Sequence, residues 1–261
     1  DVWQSLQVGS FAAVAVFPAW CCITEAVPLA VGGLRPAVLL PAVGAVDARQ
    51  IAPWYFDDIL LLFLGGFILA TALERTRLHE RLAWRAVALF GARPRRLVLG
   101  MMTATACLSL FVNNTSATLV MLPVALALLG RCDSEESARL GPPLLLGIAY
   151  AATIGGIATP IGTAPNILFL GMFRERFPAA EPIAFGGWVI AMLPLAALFL
   201  LICWQVLIRT VGRPAASASA GLEAYAREAV NLPPRSAEQT RVLLIFGCVA
   251  LAWLTRQTAD L

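Results

Sequence analysis

Long apolar runs alternate with short polar stretches rich in arginine along this chain. The first three runs are Val8 to Val27, Leu29 to Val46 and Ile59 to Leu73, with Asp47, Arg49, Asp57 and Asp58 as a polar loop between the second and third. Glu25, at the end of the first run, is costly in lipid and is expected to face protein or the interface. From Glu74 to Arg96, Leu78, Leu82, Ala86, Leu89 and Phe90 recur at helical spacing opposite Arg77, Glu80, Arg81 and Arg85. That spacing predicts an amphipathic helix too charged to span, lying in the cytoplasmic interface. A lone histidine in such a helix, His79, reads as a solvated residue rather than a ligand.

The run from Leu97 to Leu129 is interrupted only by Asn113-Asn114-Thr115-Ser116. As one straight helix it would extend about 50 Å, against a bilayer core of about 30 Å. Arg93, Arg95 and Arg96 precede it, and Arg131 and Arg139 follow it. Arginine clusters mark the cytoplasmic side, so both ends belong on one face of the membrane. The segment therefore reads as a re-entrant hairpin with its polar tip near the midplane, where irregular backbone survives only inside protein or against a watery cavity. Two ordinary helices joined by an internal turn, capped by Asn and Thr, are the other reading.

After a polar loop from Arg131 to Arg139, a second overlong run reaches from Leu144 to Phe173. Gly155-Gly156 and Thr159-Pro160-Ile161-Gly162-Thr163-Ala164-Pro165-Asn166 interrupt it. Proline and glycine at that density predict a helix broken within the membrane. Arg174 to Glu181 is a loop, Phe185 to Ile208 spans again, Arg209 to Arg241 is polar with a linker over Pro214–Ser219, and Val242 to Leu254 begins a last helix. With the arginine-rich stretches inside, the chain starts outside and the acidic Asp47–Asp58 loop lies outside too, while the Arg174/Arg176 loop falls outside against the rule.

Composition sharpens the picture. Apolar residues make up 59% and charged residues 13%, which places the chain in the membrane class. The net charge is +3, and every basic side chain except His79 is arginine, clustered between apolar runs. No basic patch interleaved with aromatics is present, which argues against nucleic-acid binding. Six cysteines are scattered without C-x-x-C spacing and read as small packing residues. No nucleophile–base pair or metal-ligand cluster suggests an enzyme. The chain opens on Asp1 without a basic leader and ends after Leu261, so it reads as part of a longer protein.

The two interruptions carry the candidate chemistry. Discontinuous membrane helices set half-helix N-termini against anions and unwound carbonyls against cations. Asn, Ser and Thr offer neutral oxygens to a hard cation such as sodium, and N–H or O–H donors to a carboxylate. Neither interruption contains Asp or Glu, which disfavours an acidic proton relay built from them. The same polar groups could instead satisfy one another at helix ends. The match of Asn113-Asn114-Thr115 to a glycosylation site is accidental at membrane depth.

Ile23-Thr24-Glu25-Ala26-Val27-Pro28, Leu62-Phe63-Leu64-Gly65-Gly66-Phe67 with Leu78-His79, Asn114-Thr115, Ile154-Gly155-Gly156 and Ile161-Gly162-Thr163-Ala164-Pro165-Asn166 together resemble the divalent anion/sodium symporter family, the carriers of dicarboxylates, citrate or sulfate. The resemblance implies an all-α polytopic membrane protein, and here the first half of an inverted-repeat transporter with a re-entrant helical hairpin and a broken transmembrane helix. It divides the chain into scaffold helices and entry to the first repeat over 1–73, an amphipathic cytoplasmic interfacial helix over 74–96, the hairpin over 97–130 and the broken helix over 131–173. A transmembrane helix over 174–208, a polar cytoplasmic connector over 209–241 and the start of a second repeat over 242–261 complete the division. Carried over by position, the family's substrate contacts fall on Asn113, Asn114, Thr115 and Thr163, and its sodium ligands on Ser109, Asn114, Gly162 and Asn166.

Two departures stand out. The family's serine is Asn113 here, an amide in place of a hydroxyl, as in related anion permeases that carry Asn-Asn-Thr. Only one hairpin motif is present, so the second repeat is expected in a missing C-terminal part of the same protein. The expected function is secondary transport of a small dianion, a C4-dicarboxylate above all, with sodium as coupling ion and elevator-like movement. A sodium-independent anion exchanger or sulfate-type permease, and a truncated remnant that does not transport, are the alternatives. The resemblance also implies a homodimer, multi-pass in the cell membrane of a bacterium, in contact with lipid.

Overall fold

A computed structural model describes residues 2–24, 26–55, 58–211, 218–230 and 234–255; Glu25, Asp57 and the side chain of His79 lie outside what it describes. The described residues form α-helices joined by short turns, and no strand occurs among them. The chain divides into two compact units, residues 1–61 and 62–261.

The first unit holds α1 (Val2–Ile23), α2 (Leu29–Ala42), α3 (Ala48–Tyr55) and the start of α4 (Asp58–Arg75). Val14, Leu40 and Ile51 form its small core. The Tyr55 hydroxyl donates to the Gly33 carbonyl at 2.9 Å and ties α3 to α2. The expected polar loop over Asp47–Asp58 thus contains a helix. Asp47 opens it, its carboxylate accepting from the Arg49 amide at 3.0 Å, a local bond that an acidic residue offers wherever a helix begins.

The second unit continues with α5 (Leu78–Phe90), α6 (Pro94–Ser109), α7 (Asn114–Leu129), α8 (Ser134–Ile157), α9 (Ala164–Arg176), α10 (Phe185–Thr210), α11 (Ala220–Val230) and α12 (Ala237–Thr255). Its core runs through Leu97, Met101, Met102, Met121, Leu128, Leu144 and Ile148, so α6, α7 and α8 share one apolar interior. α6 lies against α8 over Gly147, where Met102 fills the space that a side chain would need.

Several boundaries differ from those read in the sequence. The stretch 74–96 is not one helix: Arg77 at φ 53° ends α4, Gly91 at φ 77° ends α5, and Pro94 starts α6. Left-handed backbone cannot continue a helix, and proline is at home on a first turn. The polar stretch after Arg131 is the N-terminus of α8, with the Asp133 carboxylate accepting from the Glu136 amide at 2.7 Å. The connector over 209–241 contains α11, whose Leu222 and Tyr225 are buried and whose Tyr225 ring stacks on Trp84 of α5 at 4.6 Å. A capping box, Ser236 with Gln239, opens α12 earlier than Val242, and the Gln239 amide reaches the Thr76 carbonyl at 2.9 Å.

Among the described residues, α8 and α10 are long and apolar enough to cross a membrane. Over its apolar window α8 is 56% buried within the chain and α10 only 6%. The outward side of α10, with Ile190, Leu198 and Ile202 exposed, therefore meets an apolar medium or further protein.

Candidate functional site

The polar interruptions meet where α6 turns into α7 and α8 gives way to α9. α6 ends at Ser109, Leu110 to Asn113 make the turn, and Asn114 begins α7. The interruption read as Asn113–Ser116 is thus displaced: Asn113 is the N-cap, its side-chain oxygen accepting from the Thr115 amide at 2.7 Å, and the following polar residues lie on the first helical turn. Asparagine takes this place because its short side chain reaches the orphan amides of a helix start.

Ser109 is fully buried, and its Oγ lies 2.6 Å from the Ala152 carbonyl of α8 and 2.9 Å from the Asn114 side-chain oxygen. One hydroxyl proton cannot serve two acceptors. Three oxygens therefore converge with a shortage of protons, an arrangement that a cation satisfies or that a turned Asn114 amide relieves. Asn114 rests against Gly156: a β-carbon there would stand 2.5 Å from Asn114 Oδ1 and 3.2 Å from the Gly162 carbonyl. Glycine is required here for close approach, not for backbone shape.

α8 stops at Ile157 and α9 starts at Ala164, with Thr163 extended at φ −151°, ψ 146° as its N-cap. The expected interruption over Thr159–Asn166 is shorter than read, because Pro165 and Asn166 sit on the first turn of α9, where proline's missing amide costs nothing. Asn166, buried, closes the gap: its Nδ2 donates to the Gly156 carbonyl at 2.9 Å and the Thr159 carbonyl at 2.8 Å. The buried Thr159 hydroxyl donates to the Leu110 carbonyl and ties this gap to the hairpin turn. Trp188, from the second turn of α10, donates its indole N–H to the Ile157 carbonyl at 3.0 Å.

Of the residues singled out in the sequence, Ser109, Asn114, Gly162 and Asn166 thus gather around Gly156, directly or through one contact. Asn166 has both amide protons committed to carbonyls, which leaves Oδ1 as its free polar atom. Asn113 and Thr115 are exposed at the tip and Thr163 is half-buried at the start of α9. Thr159, Trp188 and the Ala152 carbonyl were not among the site residues read from the sequence. Thr159 was visible within the polar stretch, and a tryptophan near a helix start signals an N–H in need of an acceptor.

Neither 110–116 nor 158–166 contains an ionisable side chain. The fixed electrostatics come from helix ends: C-termini of α6 and α8, N-termini of α7 and α9. The former favour cations and the latter anions, with about half an elementary charge at each. The site offers neutral oxygens beside N-terminal amides, which suits a cation and an anion held together.

The sequence model of the citrate transporter family, CitMHS, matches residues 19–258. The sodium-dependent dicarboxylate transporter SdcS of Staphylococcus saprophyticus is 35% identical over 255 residues, 94% of this chain and 49% of that protein. Its counterpart in Staphylococcus aureus strain RF122 is 35% identical over 264 residues, 98% of this chain and 50% of that protein. The chain spans about half the length of these curated relatives.

Proposed function

This chain belongs to the citrate transporter family, among the divalent anion/sodium symporters, and we propose that it is the first of two repeats of a secondary transporter that carries a small dianion with sodium. The observation that carries the reading is the oxygen cluster of Ser109, Asn114 and the Ala152 carbonyl, seated on Gly156 between two helix C-termini. Sodium takes oxygens from Ser109, Asn114, Gly162 and Asn166. The dianion, a C4-dicarboxylate, meets Asn113, Asn114, Thr115 and Thr163 at the N-terminal ends of α7 and α9. The relatives' names support both the sodium and the dicarboxylate.

In this reading α6 and α7 form the re-entrant hairpin and α8 with α9 the broken transmembrane helix. Each hairpin helix has 16 residues, about 24 Å at 1.5 Å per residue, short of a bilayer core of about 30 Å. Hairpin and broken helix move together as an elevator within a multi-pass, homodimeric protein of the cell membrane. The second repeat of the same protein completes the site.

A sodium-independent exchanger is the second reading, and Asn113 favours it. Its side-chain oxygen is held by the Thr115 amide as a cap, where the symporter family has a serine hydroxyl. Replacement separates a binding tip from a merely structural one. In the complete transporter, Asn114→Ala and Thr115→Ala abolish uptake while the protein still accumulates in the membrane, because at a mid-membrane tip no bulk solvent replaces a lost oxygen ligand. Near-normal uptake by both variants at saturating sodium contradicts a site here.

A further inference from the structure

An α-helix that ends inside a protein leaves its last carbonyls without intrahelical partners. At the end of α8 those oxygens are the natural cation ligands of the neighbourhood, and the structure assigns three of them elsewhere. The Gly155 carbonyl accepts from the Ala158 amide at 3.0 Å, the Gly156 carbonyl from Asn166 Nδ2 at 2.9 Å, and the Ile157 carbonyl from Trp188 Nε1 at 3.0 Å. The first donor lies in the interruption and the second on the first turn of α9. The third comes from a different helix.

Trp188 is buried, and its ring also lies 5.8 Å from that of Phe169 on α9. One side chain of α10 therefore touches both halves of the interrupted segment. An indole N–H is a donor only, so it cannot bind a cation. It can only withdraw a carbonyl that a cation would otherwise draw toward itself. Ile157 follows Gly156, the residue on which Asn114 rests, so holding the Ile157 carbonyl anchors the last turn of α8 beside the oxygen cluster.

We propose that Trp188 is a positioning residue of the sodium site: its bond to the Ile157 carbonyl fixes the end of α8 so that Ser109 and Asn114 meet the cation with their present spacing. The proposal rests on the sodium-coupled reading above. It differs from a packing role in what it predicts. A ring that only fills space governs folding and maximal rate, whereas a hydrogen bond that shapes the cation site governs sodium affinity.

The test removes a single proton. In the complete transporter Trp188 is replaced by β-(3-benzothienyl)alanine, which has the shape of tryptophan with sulfur in place of the N–H, and in parallel by Trp188→Phe. Phe169→Leu removes the ring contact and keeps the donor. Two quantities are measured: the sodium concentration for half-maximal uptake, and the sodium concentration at which the purified, substrate-free protein reaches half its thermal stabilisation. Both rise about tenfold in the two Trp188 variants, the loss expected when a freed end of α8 holds the cation-binding spacing only about a tenth of the time. Maximal uptake stays within about twofold, and Phe169→Leu leaves both quantities in place.

A lowered maximal rate with unchanged sodium half-saturation overturns the proposal, as does an equal shift in Phe169→Leu. If the benzothienyl variant does not accumulate, Trp188→Phe decides by the same criterion. Sodium-independent uptake and stability in the unaltered protein overturn both this proposal and the coupled reading. A sodium-dependent parent with indifferent Trp188 variants overturns this proposal alone.

Discussion

A methyl group added at residue 156 meets Asn114 Oδ1 at 2.5 Å, and the amide cannot retreat without leaving Ser109. Gly156→Ala therefore displaces a side chain that joins the hairpin to the interruption. Overpacking of this kind costs about 1–3 kcal/mol, and uptake falls more than tenfold with reduced thermal stability. Gly171, on α9, has no atom within 4 Å of the equivalent position, so Gly171→Ala leaves uptake unchanged. Equal behaviour of the two variants would contradict the packing described. The polar residue types gathered around Gly156 were legible in the sequence, because Asn, Ser and Thr stand out within an apolar run. Their division of labour was not. Nothing in the spacing shows that Asn166 spends both amide protons on carbonyls, or that Trp188 reaches Ile157 from a helix away. Those bonds depend on which faces of α8, α9 and α10 turn inward.

At the scale of elements, the long apolar runs and their interruptions were visible, since periodicity and glycine–proline density act locally. Short amphipathic helices were harder. Among the described residues of α11, Leu222 and Tyr225 are the buried anchors, and the helix gains its place from the Trp84 stack and the Arg131–Glu228 ion pair at 3.2 Å. α3 is held by the Tyr55 bond to Gly33. Partners distant in sequence decide such elements, so local pattern understates them. The hairpin itself is tested by its ends. Cysteines introduced as Arg95→Cys and Ser134→Cys, both at exposed positions, label from the cytoplasmic side with a membrane-impermeant maleimide. Labelling from opposite sides would mean that the α6–α7 pair crosses the membrane an odd number of times and is not re-entrant. Native Cys132, two residues from the second probe, does not interfere. Burial, with the Glu136 and Asp133 carboxylates beside it, pushes its thiol up to about 12. A raised pKa means less thiolate, so the thiol stays protonated and slow to react below about pH 10. Cys107 and Cys248, which are exposed, are replaced beforehand.

At the scale of the whole molecule, the chain presents a long apolar helix with little of its surface covered. α10 is 6% buried over its apolar window, and the matched relatives are about twice the length of this chain. On the reading proposed above, a second repeat and lipid together cover that surface. The electrostatics make the strongest demand. A dianion brought to the tip finds no fixed positive side chain in 110–116 or 158–166, and two helix N-termini supply about one elementary charge between them. Desolvating the second charge without a partner is costly. On the proposed reading bound sodium supplies the remainder, and linkage then makes substrate affinity depend on sodium.

The direct measurement is succinate uptake by the complete transporter reconstituted in vesicles, with sodium or choline as the external cation. The account predicts uptake only under an inward sodium gradient, and substrate binding at least tenfold weaker in choline. Counterflow exchange at full rate with choline on both sides would contradict it, and Asn113 would then be the first residue to examine.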